Sequence, residues 1–146
     1  MMKPKVLFLC TGNSARSQMA EGYLRHVAGE KYDVLSAGIS PKGMNPLAVE
    51  AMNEIGIDIS RQQSKDVREY LGTPIQYVIT VCDNAKEHCP IFPGTFKFLH
   101  WGLHDPAAAR GDHDEKLEIF RRVRDELAHH IEQEFVNKLA PARARG

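Results

Sequence analysis

Residues 6–17 read V-L-F-L-C-T-G-N-S-A-R-S, and this stretch decides how the chain folds. Its first four residues form an apolar run typical of a buried strand, and the pattern that begins near Ser17 is helical. Between them, Cys10 and Arg16 are separated by five residues, a spacing that fits a loop wrapped around a tetrahedral oxyanion. Gly12 and its small neighbours allow backbone N–H groups to turn inward, and the start of a helix favours an anion.

The same loop offers both an anion-binding group and a nucleophile. The planar guanidinium of Arg16 can bind two oxyanion oxygens, and the positive field of the loop favours the thiolate of Cys10. The alternative is a buried structural cysteine that ends a core strand, with a surface arginine nearby. The agreement of strand, glycine, hydroxyl residues and helix start favours the oxyanion loop.

Composition indicates one ordinary globular domain. The chain has 146 residues, of which 42% are hydrophobic and 26% charged, and its 19 basic and 19 acidic side chains cancel. This balance gives no sign of nucleic-acid binding. No apolar stretch approaches the ~20 residues that span a membrane, so we expect no membrane association and a cytoplasmic protein. Three cysteines in a reducing compartment argue against a disulfide framework and leave catalytic, redox or metal roles, or no role at all.

Strand and helix patterns alternate along the chain. Strands are predicted over 5–9, 32–36, 77–81 and 96–100, and helices over 17–28, 46–55, 64–71 and from 112–115 onward. This alternation predicts an α/β fold with a four-stranded parallel sheet and helices on both faces. We expect one domain over residues 1–139, followed by a flexible C-terminal tail over 140–146.

Two of the cysteines follow predicted strands. Cys10 comes after the first strand and Cys82 after the strand over 77–81. Parallel strands end at one edge of the sheet, where α/β proteins bind their ligands. If these two strands are neighbours, the two sulfurs can approach each other.

The segment from Cys82 to Cys89 allows a redox or a metal interpretation. A zinc site would use Cys82, His88 and Cys89, but their spacing is unusual and no second ligand pair follows. In the redox interpretation, Cys82 resolves a bond at Cys10 and Cys89 resolves the next. Were 82–89 helical, the two Cα atoms would lie ~10 Å apart, whereas a disulfide needs about 7 Å. The redox interpretation therefore predicts that this segment unwinds when it is oxidised.

Asp105 is the candidate general acid. It follows the last predicted strand and a short H-W-G-L-H segment, where a loop can fold back over Cys10. Thiolate chemistry on an oxyanion needs a proton for the departing oxygen, which an aspartic acid supplies. The alternative is that Asp105 merely begins a turn at Pro106.

Taken together, these residues resemble the thioredoxin-coupled arsenate reductases built on the low-molecular-weight tyrosine phosphatase fold. The likeness runs from Val6 to about Ile131. It rests on C-T-G-N-S-A-R-S followed by Q-M-A-E-G, on S-A-G at 36–38, N-P-L-A-V at 45–49 and G-I-D-I-S at 56–60, on Cys82 with Cys89-Pro90, and on H-W-G before D-P-A. The three cysteines are the specific part, because phosphatases share the loop.

The resemblance implies a mechanism and a site. Cys10 attacks arsenate held by Arg16 and by the loop amides of Thr11, Gly12, Asn13, Ser14 and Ala15. Ser17 helps to hold the thiolate, and Asp105 protonates the leaving oxygen. Cys82 then attacks the Cys10–arsenic adduct and releases arsenite, and Cys89 moves the disulfide to Cys82–Cys89. A thioredoxin-like partner reduces that disulfide, although glutaredoxin with glutathione or a mycothiol system remains open, and phosphate and sulfate compete for the loop.

Two positions depart from the family pattern. Ala15 stands where many relatives carry another cysteine, which removes a competing thiol and leaves the mechanism intact. No tightly bound cofactor is expected, but some relatives bind potassium, and Asn13, Glu21 and Ser36 match that site. Lys65-Asp66 departs from it, and the lysine ammonium is a candidate to occupy the ion's place.

Two other functions use the same residues. A small protein-tyrosine phosphatase would use Cys10, Arg16 and Asp105, but such enzymes commonly place tyrosines after Asp-Pro, where this chain has Ala107-Ala108-Ala109. A non-enzymatic thiol redox sensor would bind phosphate or sulfate and change shape on oxidation. Loss of reductase turnover with retained aryl phosphate hydrolysis in Cys82 and Cys89 variants would separate the reductase from both.

Overall fold

Four strands form one parallel sheet: β1 (Lys5–Cys10), β2 (Asp33–Gly38), β3 (Tyr77–Thr80) and β4 (Lys97–His100). Their order across the sheet is β2-β1-β3-β4. The structure is a computed structural model and describes residues 3–137. The predicted four-stranded parallel sheet is confirmed, and the predicted tail over 140–146 lies outside the described residues.

The centre of the core is β1. Val6, Leu7, Phe8 and Leu9 have no exposed surface. Successive side chains of a strand point to opposite faces, so complete burial of four in a row requires both faces of the sheet to be covered. This is the physical reason for the continuous apolar run that opens the sequence.

Helices cover the sheet: α1 (Arg16–Ala28), α2 (Pro46–Asn53), α3 (Asp83–Glu87) and α4 (His113–Ile131). A π-helical turn, Glu132–Val136, continues α4, and 3₁₀ turns lie at Val67–Tyr70 and Pro106–Ala108. Across residues 3–137, no helix has the length and apolar character needed to cross a membrane.

Local capping signals set two helix starts. The side chain of Asn45 accepts a hydrogen bond from Leu47 N at 2.8 Å before Pro46 begins α2. Asp112 and Glu115 form a capping box at the start of α4. The apolar side chains along one face of this helix are buried, from Leu117 to Ile131. Both predicted starts are therefore confirmed.

The helix predicted over 64–71 is wrong in type and extent. Only Val67–Tyr70 is helical, as a 3₁₀ turn, and the residues before it are extended. Lys65 N donates to Asn13 Oδ1 at 2.7 Å, and Lys65 O accepts from Gly38 N at 2.8 Å. Ser64 Oγ also donates to Gly12 O at 3.0 Å. These long-range hydrogen bonds require an extended backbone and override the local helical pattern.

The sheet order creates a switch point between β1 and β3. The first crossover leads from β1 to β2 on one side, and the chain then passes to β3 on the other side of β1. Leu9 pairs with Thr80, so Cys10 and Cys82 lie one and two residues beyond that pair. The predicted neighbourhood of these two strand ends is confirmed, and a crevice at such a point is the usual ligand site of an α/β sheet.

Candidate functional site

Backbone carbonyls of the loop that follows β1 all bond to groups outside the loop. The oxygens of Cys10, Thr11, Gly12 and Ser14 accept hydrogen bonds from the N–H groups of Ile39, Ser40, Lys42 and Asn45, at 2.8–3.1 Å. The Asn13 carbonyl accepts from Gln18 Nε2 at 3.0 Å. Because its carbonyls bond to groups outside, the loop leaves its N–H groups available to face inward, which an anion nest requires.

Asn13 makes the sharpest turn in this loop. Its φ of 46° is the only positive value at a non-glycine residue within the described range. Asparagine tolerates this left-handed conformation better than most residues. The turn directs Asn13 N–H at Cys10 Sγ, 3.1 Å away.

The hydroxyl of Ser17 also contacts Cys10. Ser17 Oγ lies 2.8 Å from Cys10 Sγ and accepts a hydrogen bond from Asn13 Nδ2 at 2.8 Å. Because Asn13 occupies a lone pair of this oxygen, the hydroxyl hydrogen is free to point at the sulfur. Two hydrogen-bond donors therefore face the buried Cys10 sulfur.

A buried carboxylate supports this arrangement from behind. Asn13 Nδ2 also donates to Ser36 Oγ at 2.9 Å, and Ser36 Oγ donates to Glu21 Oε1 at 2.5 Å. Each hydroxyl in this series of hydrogen bonds accepts one hydrogen bond and donates another. This series of hydrogen bonds from Glu21 to Ser17 thereby fixes the direction of each hydroxyl hydrogen up to Cys10.

Two side-chain cations balance Glu21. Arg25 Nη2 lies 2.6 Å from Glu21 Oε2, and Lys65 Nζ lies 3.6 Å from Glu21 Oε1. One carboxylate thus faces two positive charges, so the residues of the predicted potassium site do not fit a further cation. Among residues 3–137, no cluster of three histidine, cysteine or acidic side chains is arranged to hold a metal ion.

Cys82 is held against the loop by a threonine. Thr11 Oγ1 lies 3.3 Å from Cys82 Sγ and accepts a hydrogen bond from Asn84 Nδ2 at 2.9 Å. The hydroxyl hydrogen of Thr11 is therefore free to point at the sulfur. Ala85 N–H donates to the same sulfur at 3.4 Å, because Cys82 caps α3. Sequence patterns did not reveal Asn84, because its hydrogen-bond partner belongs to the loop after a neighbouring strand.

Helix α3 has a second attachment, which joins its first residue to β4. His100 Nδ1 lies 2.7 Å from Thr80 Oγ1, and His100 Nε2 lies 3.0 Å from Asp83 Oδ1. No pattern in the sequence predicted this contact of His100. A histidine that ends a strand beside a cysteine-bearing strand end is the signal that points to it.

Cys89 lies at the far end of α3, away from the loop. It is partly buried and opens on an apolar groove of about 240 Å³. The groove is lined by Val78, Lys86, Pro90, Ile91, Phe92, Thr95 and Phe98. Burial raises the pKa of the Cys89 thiol above its ordinary value. All three cysteines are free thiols, and α3 separates Cys89 from the other two.

The loop after β4 covers the other side of the site. Arg16 Nη1 donates to Leu103 O at 3.1 Å, and Arg16 Nη2 lies 3.8 Å from Asp105 Oδ1. The Asp105 side chain is half exposed and also accepts a hydrogen bond from Ala107 N at 3.0 Å. The ring of Trp101 stacks on His130 with centroids 4.8 Å apart, which ties this loop to α4. Asp105 thus lies beside the guanidinium of Arg16.

Known proteins resemble the whole chain. The family model for low molecular weight phosphotyrosine protein phosphatase matches residues 5–143. An arsenate reductase from Halalkalibacterium halodurans is 50% identical over 131 residues, which cover 90% of this chain and 94% of that protein.

Solved structures agree with this family. An arsenate reductase in the phosphate binding state superimposes with a TM-score of 0.73 at 34% identity, over 90% of this chain and 95% of that one. The thioredoxin-dependent arsenate reductase of Corynebacterium glutamicum gives a TM-score of 0.63 at 30% identity, over 90% of this chain and 61% of that longer one. The resemblance stated from the motifs is confirmed.

Proposed function

The chain belongs to the low molecular weight phosphotyrosine protein phosphatase family, and we propose that it is an arsenate reductase re-reduced by a thioredoxin-like partner. The contact that carries this proposal is the 3.3 Å approach of Cys82 Sγ to Thr11 Oγ1 in the anion loop. A phosphatase needs one thiol in this loop. A second thiol held at the rim serves a reaction in which sulfur takes up an oxidising equivalent.

The first proposed step uses the loop alone. The inward N–H groups and Arg16 bind arsenate, and Cys10 displaces one oxygen from arsenic as its thiolate forms an S–As bond. Asp105 donates a proton so that the oxygen leaves as water. Its half-exposed carboxyl, 3.8 Å from the guanidinium, is within reach of an oxyanion bound to Arg16.

The second step is the reduction. Cys82 attacks Cys10 Sγ, an S–S bond forms, and the electron pair of the S–As bond goes to arsenic, which changes from As(V) to As(III). Arsenite leaves, and the enzyme holds a Cys10–Cys82 disulfide. The contacts of Cys82 with Thr11 and Ala85 hold its sulfur beside the loop, from where it can approach Cys10.

The third step moves the oxidised pair outward. Cys89 attacks Cys82, Cys10 leaves as a thiolate, and the Cys82–Cys89 disulfide then faces the apolar groove beside β4. Ile91 in this groove is 95% exposed and Phe98 is 48% exposed. Such apolar surface around a reactive cysteine suits a protein dithiol, which supplies two electrons and restores both thiols. We propose a cytoplasmic reaction on this ground, because protein dithiols stay reduced in that compartment.

No potassium ion is required in this scheme. Lys65 and Arg25 already neutralise Glu21, which leaves the hydrogen-bond sequence to Cys10 intact without an added cation. We therefore propose that the two side chains replace the ion that some relatives bind.

A variant series tests the proposal. Cys10→Ser should abolish both arsenate reduction and aryl phosphate hydrolysis. Cys82→Ser and Cys89→Ser should end multiple-turnover reduction with thioredoxin, thioredoxin reductase and NADPH, yet hydrolyse p-nitrophenyl phosphate at close to the native rate. Normal cycling of Cys89→Ser with thioredoxin would refute the relay. Absence of any arsenite from the native protein would leave the redox sensor as the better description.

A further inference from the structure

We propose that His100 is a positioning residue for the thiol relay. Through Asp83 it holds the first turn of α3 in place while Cys82 faces Cys10, and this contact has to break before Cys82 can bond to Cys89. The inference rests on the proposed function, because it assigns a role within that relay.

His100 is itself firmly placed. It ends β4, its side chain is 19% exposed, and its Nδ1 is 2.7 Å from the hydroxyl of the fully buried Thr80. The carboxylate of Asp83 can only accept a hydrogen bond, so His100 Nε2 carries the hydrogen on that side. In the neutral ring Nδ1 then accepts from the Thr80 hydroxyl, which fixes both the tautomer and the ring orientation.

The helix that His100 holds is short. It comprises five residues, Asp83–Glu87, and its backbone bonds include Lys86 N to Cys82 O and His88 N to Asn84 O, both at 3.1 Å. Short isolated helices are unstable in water. The attachment of Asp83 to His100 and that of Asn84 to Thr11 therefore help to keep α3 folded against the sheet, together with the buried Ala85.

The two thiol exchanges place opposite requirements on α3: the first needs the helix held in place, and the second needs it to open. Attack of Cys82 on Cys10 requires the Cys82 sulfur to stay at the loop, so the hold by His100 assists it. Attack of Cys89 on Cys82 forms a new S–S bond and expels the Cys10 thiolate. That step requires the turn between Cys82 and Cys89 to open, because a disulfide needs Cα atoms within about 7 Å. The hold opposes this second exchange.

Loss of the contact should consequently change the two rates in opposite directions. A variant that is merely less stable would not slow the first exchange and accelerate the second. The Asp83 side chain is 90% exposed, so we expect changes of about two- to fivefold, the range for a contact with one partner in water.

The second exchange is measured without arsenate. In a Cys10→Ser background, Cys82 and Cys89 are the remaining cysteines. Oxidised glutathione accepts two electrons from them, and each reaction yields the Cys82–Cys89 disulfide and two reduced glutathione molecules. We expect His100→Ala and Asp83→Ala to accelerate this closure about two- to fivefold, and the double variant to equal either single one. His26→Gln, at an exposed histidine of α1, is the matched control.

The first exchange is measured in a Cys89→Ser background, where a single turnover with arsenate stops at the Cys10–Cys82 disulfide. His100→Ala should slow its formation about two- to fivefold. Asp83→Asn keeps an oxygen acceptor for His100 Nε2 and should restore the native rate. Hydrogen exchange of residues 83–88 in the reduced protein should be faster in His100→Ala than in His26→Gln.

Equal closure rates for His100→Ala and His26→Gln, or rate changes of the same sign in both exchanges, would overturn the positioning role. The glutathione assay and hydrogen exchange give this answer even if the protein reduces no arsenate. A failure of the Cys10–Cys82 disulfide to form with native His100 present would instead count against the proposed function.

Discussion

The hydroxyl of Thr11 joins the two strand ends that carry Cys10 and Cys82: it lies 3.3 Å from Cys82 Sγ, while the amide of Asn84 donates to its oxygen at 2.9 Å. Thr11 belongs to the loop that surrounds Cys10, and Asn84 belongs to the helix that Cys82 caps. A single side chain therefore connects the loop around Cys10 with the strand end that carries Cys82.

Removal of the Thr11 hydroxyl should slow the reduction step selectively. Thr11→Val keeps the shape and the backbone N–H groups, so phosphate binding should change by less than about twofold. Formation of the Cys10–Cys82 disulfide should slow by about tenfold, as expected for a lost hydrogen bond to a charged sulfur. Quenched-flow trapping of the disulfide in a Cys89→Ser background measures it, with Thr11→Ser as the control that retains the hydroxyl. Equal rates for Val and Ser variants would contradict the role of this contact.

Ser17 should govern the reactivity of Cys10. Its hydroxyl lies 2.8 Å from the sulfur, and Asn13 orients it. Ser17→Ala should lower the alkylation rate of Cys10 by iodoacetamide at pH 6.5 by about tenfold or more, because a hydrogen bond to a charged group contributes about 1.5–3 kcal/mol. The assay uses a Cys82→Ser, Cys89→Ser background, in which Cys10 is the remaining thiol. A rate within twofold of the native one would show that Ser17 has no such effect.

Potassium should not stimulate this enzyme. The Glu21 carboxylate faces Arg25 at 2.6 Å and Lys65 at 3.6 Å, so its charge is already balanced. Reduction rates in potassium chloride and in choline chloride of equal ionic strength should agree within about 1.5-fold, because screening is the same in both. Lys65→Met removes one of the two cations and is the variant in which a potassium effect should emerge. Clear stimulation of the native protein would refute the replacement.

Cys89 should react faster as the pH rises. Burial raises the pKa of its thiol above the ordinary value, so the neutral form dominates near pH 7. In a Cys10→Ser, Cys82→Ser background, alkylation should rise about tenfold per pH unit between pH 6 and 8, since only the thiolate reacts. The midpoint should fall when the protein is unfolded in urea. Because the folded pKa is the higher one, this group stabilises the fold at neutral pH, and the contribution disappears as the pH rises through that value.

Glu54 should contribute stability that acid removes. Arg121 and Arg124 from α4 bind its carboxylate at 2.7 and 3.0 Å, and the hydrogen bond from Arg121 lowers the pKa of Glu54 to about 2. A lowered pKa means that the contribution is present above the ordinary value and is lost as the pH falls toward 2. Glu54→Gln should cost about 1 kcal/mol or less at pH 7, since the pair is partly exposed, and nothing near pH 2. Thermal unfolding at both pH values measures this, with Glu126→Gln as an exposed control. An equal loss at both would show that packing is responsible.

Much of the fold could be predicted because its signals are local. The apolar run before Cys10, the Asn45-Pro46 helix start and the Asp112–Glu115 capping box each act within a few residues. The segment over 64–71 was mispredicted because Lys65 makes its backbone bonds to Asn13 and Gly38, which are distant in sequence. No local pattern reveals such partners.

The candidate site divides in the same way. The loop and its cysteine follow from spacing, and the pairing of Leu9 with Thr80 places Cys82 nearby. Asn84 and His100 gain their contacts only when β1, β3 and β4 lie side by side. Their side chains carry no motif of their own, so the sheet order had to be known first.

The segment over 39–45 carries no reacting group, yet its N–H groups donate hydrogen bonds to four carbonyls of the loop around Cys10. These bonds keep the carbonyls directed away from the inside of the loop. The segment therefore holds the loop in shape from outside. Insertions in the segment over 39–45 should accordingly be tolerated as poorly as insertions in the loop itself. A small molecule that displaced this segment would inactivate the enzyme without competing with the oxyanion.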